Sequence, residues 1–189
     1  VRLGVIEDFD ADVTPALLSE MAMELGRSQF LLEPGASHRL YAQLADRALD
    51  MIVAADIGAA DEDCELHPLL AEPFVAALPR GRAVPGALGE LADLPFIGYT
   101  PRRHMGRAAH LARQAVPLAT RFELDSYHAI LAMVAGGAGW TILTPLGYLR
   151  AQRFQKDTVM VPLPAPPLAR TISLVARRGV MGDMPAGVA

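Results

Sequence analysis

The chain has 189 residues, of which 52% are hydrophobic, so it can bury a substantial core in one large domain or in two small lobes. Its net charge of -4 argues against direct binding of nucleic acid by this chain, because phosphate binding needs clustered Lys and Arg. The apolar runs fall far short of the roughly 20 residues that span a bilayer, and the single Cys64 excludes an internal disulfide framework and fits a reducing cytoplasm.

The first 55 residues predict the order strand, helix, strand, helix, strand. Residues 1–6, 29–33 and 50–55 read as strands. Asp12 is expected to cap a first, amphipathic helix that carries Pro15 in its first turn and stops at Gly26. Ser37 is expected to cap the second helix.

The middle of the chain predicts a change of lobe. Residues 59–65 read as an exposed loop, residues 69–78 as one or two strands, and the stretch 79–89, rich in Gly and Pro, as the link. The same order of elements then recurs. Residues 95–99, 121–124 and 140–143 read as strands, with one helix from Thr100-Pro101 to 116 and one over 129–135 that Asp125 or Ser126 caps and Gly136, Gly137 and Gly139 end. A short helix to about 152, strands at 158–163 and 170–176, and a frayed end follow.

Segments 1–55 and 95–145 therefore form a pseudo-repeat of small open α/β lobes. We predict an α/β fold with two open, mostly parallel sheets and a ligand cleft between the lobes. Lobe I takes residues 1–78 and 165–189, and lobe II takes residues 79–164.

Helix starts and strand ends supply the candidate site. Helix N-termini near Ser37, Thr100 and Ser126 should face the cleft, and such termini bind anions, although these side chains could simply cap their own helices. Thr144 lies at the carboxyl end of a predicted strand, where ligands of parallel sheets bind.

Charged residues beside these positions leave two interpretations open. Arg102 and Arg103 oppose the dipole of their helix, so a bound carboxylate would favour them there, or they are simply solvated. Glu7, Asp8 and Asp10 favour an amine or hydroxyl group on a ligand, or serve the start of the following helix.

Signatures of catalysis, cofactors and metals are absent. The sequence has no nucleophile elbow, phosphate loop or zinc-protease motif, and its five histidines show no ligand spacing. Cys64 lies in an acidic stretch that should raise its pKa. We expect neither an enzyme nor a cofactor.

Seven short stretches of the chain, taken together and in order, form a recognisable pattern: Arg-Leu-Gly-Val at 2–5, Pro-Gly-Ala-Ser at 34–37, Leu-Ala-Asp-Arg-Ala-Leu-Asp-Met-Ile-Val at 44–53, Asp-Leu-Pro-Phe-Ile at 93–97, the helix, glycine cluster and strand of 129–145, Val-Pro-Leu at 161–163 and Arg-Thr-Ile-Ser-Leu-Val at 170–175. In this pattern, over nearly its whole length, the chain resembles the effector-binding domain of LysR-type transcriptional regulators. Two positions depart from the family. It usually has Gly where Arg47 stands, and its final helix is not evident after Gly179.

The resemblance implies a two-lobed, periplasmic-binding-protein-like (type 2) fold that binds a small inducer between its lobes. It also implies an N-terminal winged helix-turn-helix, which this chain does not contain. The regulator is expected to bind DNA only through that domain. By position, the family's inducer contacts fall on these residues: Glu7, Asp8, Phe9, Ser37, Thr100, Pro101, Arg102 and Ser126.

We therefore expect a cytoplasmic sensor of an anionic or zwitterionic, carboxylate-bearing metabolite. The alternatives are an exported solute-binding protein of a transport system, which an upstream signal peptide would indicate, and an enzyme on the same fold. The first helix spreads Val13, Leu17, Met21 and Met23 over more than one side. This predicts a homodimer or a higher homo-oligomer, in which this helix meets the partner, and we expect no membrane partner.

Overall fold

The computed structural model describes residues 1–9, 13–26, 28–99, 120–163 and 168–179. Its chain divides into two compact units, of which unit 1 holds Val1–Ala71 and the return from Thr171, and unit 2 holds Glu72–Arg170. The predicted cap Asp12, the predicted helix from Thr100 and the turn at 164–167 lie outside the described residues.

Ten strands and four α-helices make up the described part of the chain. The strands are β1 Arg2–Ile6, β2 Leu31–Gly35, β3 Met51–Ala55, β4 Cys64–Pro73, β5 Val75–Pro79, β6 Phe96–Tyr99, β7 Thr120–Leu124, β8 Thr141–Leu143, β9 Thr158–Pro162 and β10 Ala169–Arg177. The helices are α1 Thr14–Leu25, α2 Ser37–Ala45, α3 Tyr127–Ala135 and α4 Pro145–Leu149. The predicted order of elements is confirmed throughout the described residues, with ends that move by a few positions.

Unit 1 is built on a five-stranded sheet in the order β2-β1-β3-β10-β4. Strand β1 runs parallel to both β2 and β3, while β10 returns antiparallel to β3. The carboxyl ends of the three parallel strands therefore meet at one edge of the sheet, as crossover helices between parallel strands require.

Helices α1 and α2 cover opposite faces of this sheet. On the α2 face, Leu40 and Leu44 are fully buried. Gly4 of β1 leaves room for Leu40 and Leu49, because a Cβ at position 4 would come within 2.9 Å of Leu40 and 2.7 Å of Leu49. On the other face, Leu3 and Val5 of β1 lie beneath α1. The alternation of β1 side chains thus sends one set to each helix.

Unit 2 contains the three-stranded antiparallel sheet β8-β5-β9 and the parallel pair β6-β7. A parallel bridge between Phe96 and Trp140 joins the two, with the N–H of Ile97 donating to Trp140 O at 2.9 Å. Trp140 is 1% exposed and meets the edge of the Phe96 ring, with centroids 5.1 Å apart. The apolar core of unit 2 forms around this pair.

The pseudo-repeat is visible in the matched ends of α2 and α3. These helices begin at Ser37 and Tyr127 and end at Ala45 and Ala135, a constant offset of 90 residues (127 minus 37 and 135 minus 45). Each ends in a Schellman motif: the N–H of Ala48 donates to Gln43 O at 2.8 Å, and the N–H of Ala138 donates to Met133 O at 3.0 Å.

The glycine cluster after α3 separates into distinct roles. Gly137, at φ 78°, takes the left-handed position that ends the helix, whereas Gly136 has an ordinary φ of -77°. Gly139 does not end the helix. A Cβ at Gly139 would lie 2.2 Å from Pro95 O, so a glycine there lets β8 approach the start of β6.

Candidate functional site

In unit 1, three chain segments meet where the parallel strands end. Ile6 of β1 lies opposite Gly35 of β2, and Val5 lies opposite Val53 of β3. The residues that follow these strands therefore share one edge: the 3₁₀ turn Glu7–Phe9 after β1, the start of α2 after β2, and Asp56 after β3. The structure thus brings the predicted residues Glu7, Asp8 and Ser37 to the same edge.

Ser37 has a different local role from the one its sequence predicts. The N-cap of α2 is Ala36, which makes no side-chain cap, so the prediction that Ser37 caps this helix is wrong. Instead, the backbone N–H of Ala55 donates to Ser37 Oγ at 3.0 Å, and Ser37 is 1% exposed. The hydroxyl ties the first turn of α2 to the end of β3, and because its oxygen accepts this bond, its hydrogen can still be donated.

The turn Glu7–Phe9 carries two carboxylates and one ring with different surroundings. Asp8 and Phe9 are buried, and Glu7 is half-buried. The carbonyl of Phe9 accepts from Thr14 Oγ1 at 2.9 Å and from the N–H of Val13 at 3.1 Å, which fastens the turn to the start of α1. The Phe9 ring lines an apolar cavity beneath α1, which lies on the face of the sheet opposite to α2.

That cavity has a volume of about 280 Å³. It is lined by the inner side of α1, by one face of the sheet and by β4, through side chains that are apolar except for Thr14: Leu3, Val5, Phe9, Val13, Thr14, Leu17, Met21, Met51, Val53, Leu69, Leu70 and Leu174. The Thr14 hydroxyl already donates to Phe9 O. The space is therefore an apolar cavity that offers no charged group and that two half-exposed side chains, Leu69 and Leu70, border.

Asp56 is a residue of this edge that the sequence analysis overlooked. It adopts a left-handed φ of 51°, and it exchanges two hydrogen bonds with Thr171: Asp56 N donates to Thr171 O at 2.8 Å, and Thr171 N donates to Asp56 Oδ1 at 2.9 Å. A signal was available, since an acidic residue directly after β3 repeats the position of Glu7 after β1.

Unit 2 has its own strand-end edge. Tyr99 of β6 lies opposite Leu124 of β7, and the Phe96 to Trp140 bridge sets Tyr99 level with the end of β8. Ser126 and Thr144 follow β7 and β8, so both lie at this edge. Ser126 Oγ accepts from the N–H of Ala129 at 3.4 Å, which makes Ser126 the cap of α3.

Thr144 is the cap of α4. Its Oγ1 accepts from the N–H of Gly147 at 3.1 Å, and the residue is 0% exposed. Contact between Thr144 and a ligand stays a prediction. The predicted contacts Thr100, Pro101 and Arg102 lie outside the described residues, as do Asp10 and Arg103.

Two tyrosines at this edge were also overlooked. The rings of Tyr99 and Tyr127 stack with centroids 4.7 Å apart and planes 9° apart. Position Gly147 touches both Thr144 and the Tyr127 ring, since a Cβ there would lie 3.2 Å from each. The stacked rings therefore lie beside the cap of α4. The sequence carries no sign of this pair, because no helical or strand spacing brings together tyrosines that are 28 positions apart (127 minus 99).

Cys64 begins β4, away from both edges. Burial raises the pKa of its thiol, and the nearby carboxylates Asp61 and Asp63 raise it further, which confirms the direction expected from the acidic stretch. A thiol with a raised pKa is a poor nucleophile at neutral pH. Residues 1–189 contain no second cysteine with which it could form a disulfide.

The family comparison covers almost the whole chain. The model described as "LysR substrate binding domain" matches residues 1–183. No curated protein matches the sequence closely enough to count as a relative. In the part of the chain that the structure describes, no helix is long and apolar enough to cross a membrane.

Solved structures show the same fold at low identity. The C-terminal domain of a probable LysR family transcriptional regulator from Rhodococcus sp. RHA1 is 19% identical, with a TM-score of 0.76 over 95% of this chain and 90% of that one. The OxyR2 regulatory domain (C206S) from Vibrio vulnificus is 20% identical, with a TM-score of 0.77 over 95% and 87%. Full-length OxyR C199D from Pseudomonas aeruginosa is 19% identical, with a TM-score of 0.76, and the chain covers 61% of it.

Proposed function

We propose a mode of action that starts from one premise: the chain belongs to the family of LysR substrate binding domains. It is the ligand-sensing regulatory domain of a LysR-type transcriptional regulator, with the periplasmic-binding-like (type 2) fold of such domains. Family and fold are those of regulators, not of enzymes, and regulators of this family bind small effectors and oligomerise. We place the regulator in the cytoplasm, without catalytic activity of its own, acting on DNA through a separate domain.

The effector that unit 1 suits best is a small zwitterion with a carboxylate. The start of α2 offers N–H groups that have no partner within the helix, together with the hydroxyl hydrogen of Ser37, and both favour an anionic oxygen. Glu7 and Asp8 at the same edge favour an amine or hydroxyl group on the other end of the ligand. The observation that carries this proposal is the Ser37 hydroxyl, which is held in place by Ala55 and has a hydrogen left to donate.

Two of the predicted contacts enter the proposal with a shared role. Ser126 and Thr144 cap α3 and α4, so we propose that they hold these helix starts in position and contribute N–H groups more than hydroxyls. Glu7, Asp8, Ser37 and the segment from Thr100 to Arg102 remain our proposed direct contacts. An exported solute-binding protein, the competing function, would need a signal peptide upstream.

The proposal is tested with the 189-residue chain in a thermal-shift screen of small carboxylates and amino acids, followed by calorimetry on the strongest ligand. Ser37→Ala removes a hydrogen bond to a charged group, worth roughly 1.5 to 3 kcal/mol, so affinity should fall about tenfold to a hundredfold. Ser37→Thr keeps the hydroxyl and should keep most of the affinity.

Ser19→Ala is the matched control, because Ser19 is exposed on α1 and its hydroxyl only donates to Pro15 O. It should bind like the parent. Unchanged affinity in a folded Ser37→Ala variant would contradict the site, and a screen in which uncharged compounds shift the melting temperature while carboxylates do not would contradict the ligand class.

A further inference from the structure

The cavity beneath α1 has the form of a ligand pocket inside unit 1. Helix α1 and the sheet enclose it from opposite sides, and the lining side chains Leu3, Val5 and Phe9 are at most 5% exposed. On the β4 side, Leu69 and Leu70 border it and are 54% and 48% exposed. The cavity thus has a buried floor and an entrance beside β4, which distinguishes it from an exposed apolar face.

The lining of this cavity favours an uncharged occupant. Its side chains are apolar except for Thr14, whose hydroxyl already donates to Phe9 O at 2.9 Å. A carboxylate or an ammonium group in the cavity would lose its hydration and find no charged partner among the described lining residues. Water is also poorly held there, because a buried water needs roughly two to four polar partners. The cavity therefore disfavours the zwitterion that we propose for the strand-end edge.

The size of the cavity and three of its side chains favour a flat ring system. An apolar cavity of about 150 Å³ stays dry and binds benzene, whereas this one has about 280 Å³. In proportion to the six carbon atoms of benzene, it holds roughly eleven non-hydrogen atoms. Met21, Met51 and Phe9 are among the lining residues, and both thioethers and aromatic rings make favourable contacts with aromatic rings.

We propose that the cavity beneath α1 is a second ligand site, which takes an uncharged aromatic molecule of one or two rings. An empty cavity leaves its lining side chains without dispersion contacts on one side, and a ring system that fills the cavity supplies these contacts. Phe9 then binds a different molecule from Glu7 and Asp8 of the same turn. Since the cavity lies on the face of the sheet opposite to α2, this site does not depend on an effector at Ser37.

The site is tested with naphthalene and the 189-residue chain, in which the methionine methyl groups carry carbon-13. Met21 and Met51 line the cavity, whereas Met160 of β9 is 36% exposed in unit 2 and serves as the reference. Naphthalene should shift the NMR signals of the Met21 and Met51 methyl groups saturably, because a bound ring changes the local magnetic field, and should leave Met160 unchanged. Met21→Leu and Met51→Leu assign the two signals.

The carboxylate 2-naphthoate is the control for charge. It has the same rings as naphthalene, yet at equal concentration it should leave the Met21 and Met51 signals unshifted, because its charge has no partner in the cavity. A rise in the melting temperature with 2-naphthoate, without these shifts, would report on the effector site alone. Failure of this proposal and failure of the proposed function can therefore be told apart.

Variants that fill the cavity test its position. Leu17→Phe places a ring in the cavity from α1 and should weaken naphthalene binding by about tenfold or more, because the interior is close-packed. Leu149→Phe makes the same change at a 44% exposed position of α4 and should bind naphthalene like the parent. Should Leu17→Phe not fold, Val53→Ile takes its place. It adds one methylene group to the cavity and should weaken binding about fourfold.

Four results would overturn the proposal. One is the absence of shifts at Met21 and Met51 up to the solubility limit of naphthalene. Another is an equal shift with 2-naphthoate, which would show that the cavity accepts charge. The third is equal binding by the parent and by the folded filling variant. The fourth is a shift of both signals with protein concentration in the absence of naphthalene, which would show that a side chain of a second copy occupies the cavity.

Discussion

At the scale of single residues, Asp50 shows how one carboxylate fastens the far edge of unit 1. Asp50 Oδ2 accepts from the N–H of Arg2 at 2.7 Å, Oδ1 lies 2.7 Å from the Arg2 guanidinium, and Arg177 approaches Oδ1 to 3.2 Å. The hydrogen bond from the Arg2 side chain is the main reason that the pKa of Asp50 falls from 3.8 to about 2. The carboxylate therefore links β1, β3 and β10 where β1 begins.

This pKa sets a pH dependence of stability. Because the folded pKa is lowered, the contribution of Asp50 is fully present above pH 3.8 and is lost as the pH falls towards 2. Asp50→Asn should lower the free energy of unfolding by about 1 to 2 kcal/mol at pH 7, after allowance for solvent screening. This difference between the variant and the parent should become smaller as the pH falls below 4.

Urea unfolding at pH 7, 4 and 3 measures this difference. Asp93→Asn is the comparison, since the Asp93 side chain is 63% exposed and its pair with Arg82 should contribute little. A gap between parent and Asp50→Asn that stays constant down to pH 3 would contradict the assignment.

Arg47 adopts a left-handed backbone conformation that usually favours glycine. It stands at φ 61° in the Schellman motif after α2, where its counterpart after α3 is Gly137 at φ 78°. Left-handed backbone costs a residue with a Cβ about 1 to 2 kcal/mol, part of which is offset by the greater freedom of glycine in the unfolded chain. Arg47→Gly should therefore raise the free energy of unfolding by about 0.5 to 1 kcal/mol.

The reverse substitution provides the control. A Cβ at Gly137 would meet nothing within 4 Å, so the cost of Gly137→Ala is conformational, and stability should fall by about 1 kcal/mol. Thermal unfolding of both variants at one pH tests the pair. Arg47→Gly less stable than the parent would mean that the exposed Arg47 side chain contributes more than its backbone costs.

At the scale of elements, the order of strands and helices was predictable because it depends on local signals. A short apolar run marks β1, helical spacing marks α1, and glycine marks the end of α3. The site was less predictable, because a serine that caps its own helix and a serine that accepts a hydrogen bond from a distant strand look alike in a sequence. Ser37 stands at the start of a helix, where a cap is expected, yet its partner is Ala55, 18 residues away. Only the registers of β2 and β3 with β1, which lies between them, reveal this partner.

The packing of α1 gives the element-scale prediction. Val53→Ile adds one methylene group to the cavity beneath α1, which has room for it, and should raise the free energy of unfolding by up to about 0.8 kcal/mol. Val175 is the matched position. It neighbours Leu174, which lines the cavity, so its side chain points to the opposite, filled face of the sheet, and it is 0% exposed.

Val175→Ile should accordingly lower stability by about 1 kcal/mol or more through overpacking. Chemical unfolding of both variants under one condition decides the matter. If both substitutions stabilise equally, or both destabilise, the cavity does not distinguish the two faces of the sheet.

At the scale of the whole molecule, the structure changes which side chains can meet a second copy of the chain. Val13, Leu17 and Met21 all line the cavity beneath α1, where Met21 is 7% exposed and Val13 and Leu17 are half-buried, so part of the apolar surface that the sequence assigned to a partner is used inside unit 1. Met23 is 77% exposed, and Leu31 on the edge strand β2 is 58% exposed. On α1 and the strand that follows it, these two are the large apolar side chains most exposed among the described residues.

We expect a homodimer whose stability depends on Met23 and Leu31, because large apolar side chains at an interface lose contact with water on association. Met23→Glu and Leu31→Glu should each shift the mass measured by light scattering at micromolar concentration towards the monomer, with stability unchanged. Met21→Glu should instead lower the free energy of unfolding, since it places a charge in the cavity. Val84→Glu, at a 65% exposed apolar position of unit 2, is the control and should leave the mass unchanged. A monomeric parent, or dissociation by Val84→Glu alone, would show that α1 and β2 do not form the interface.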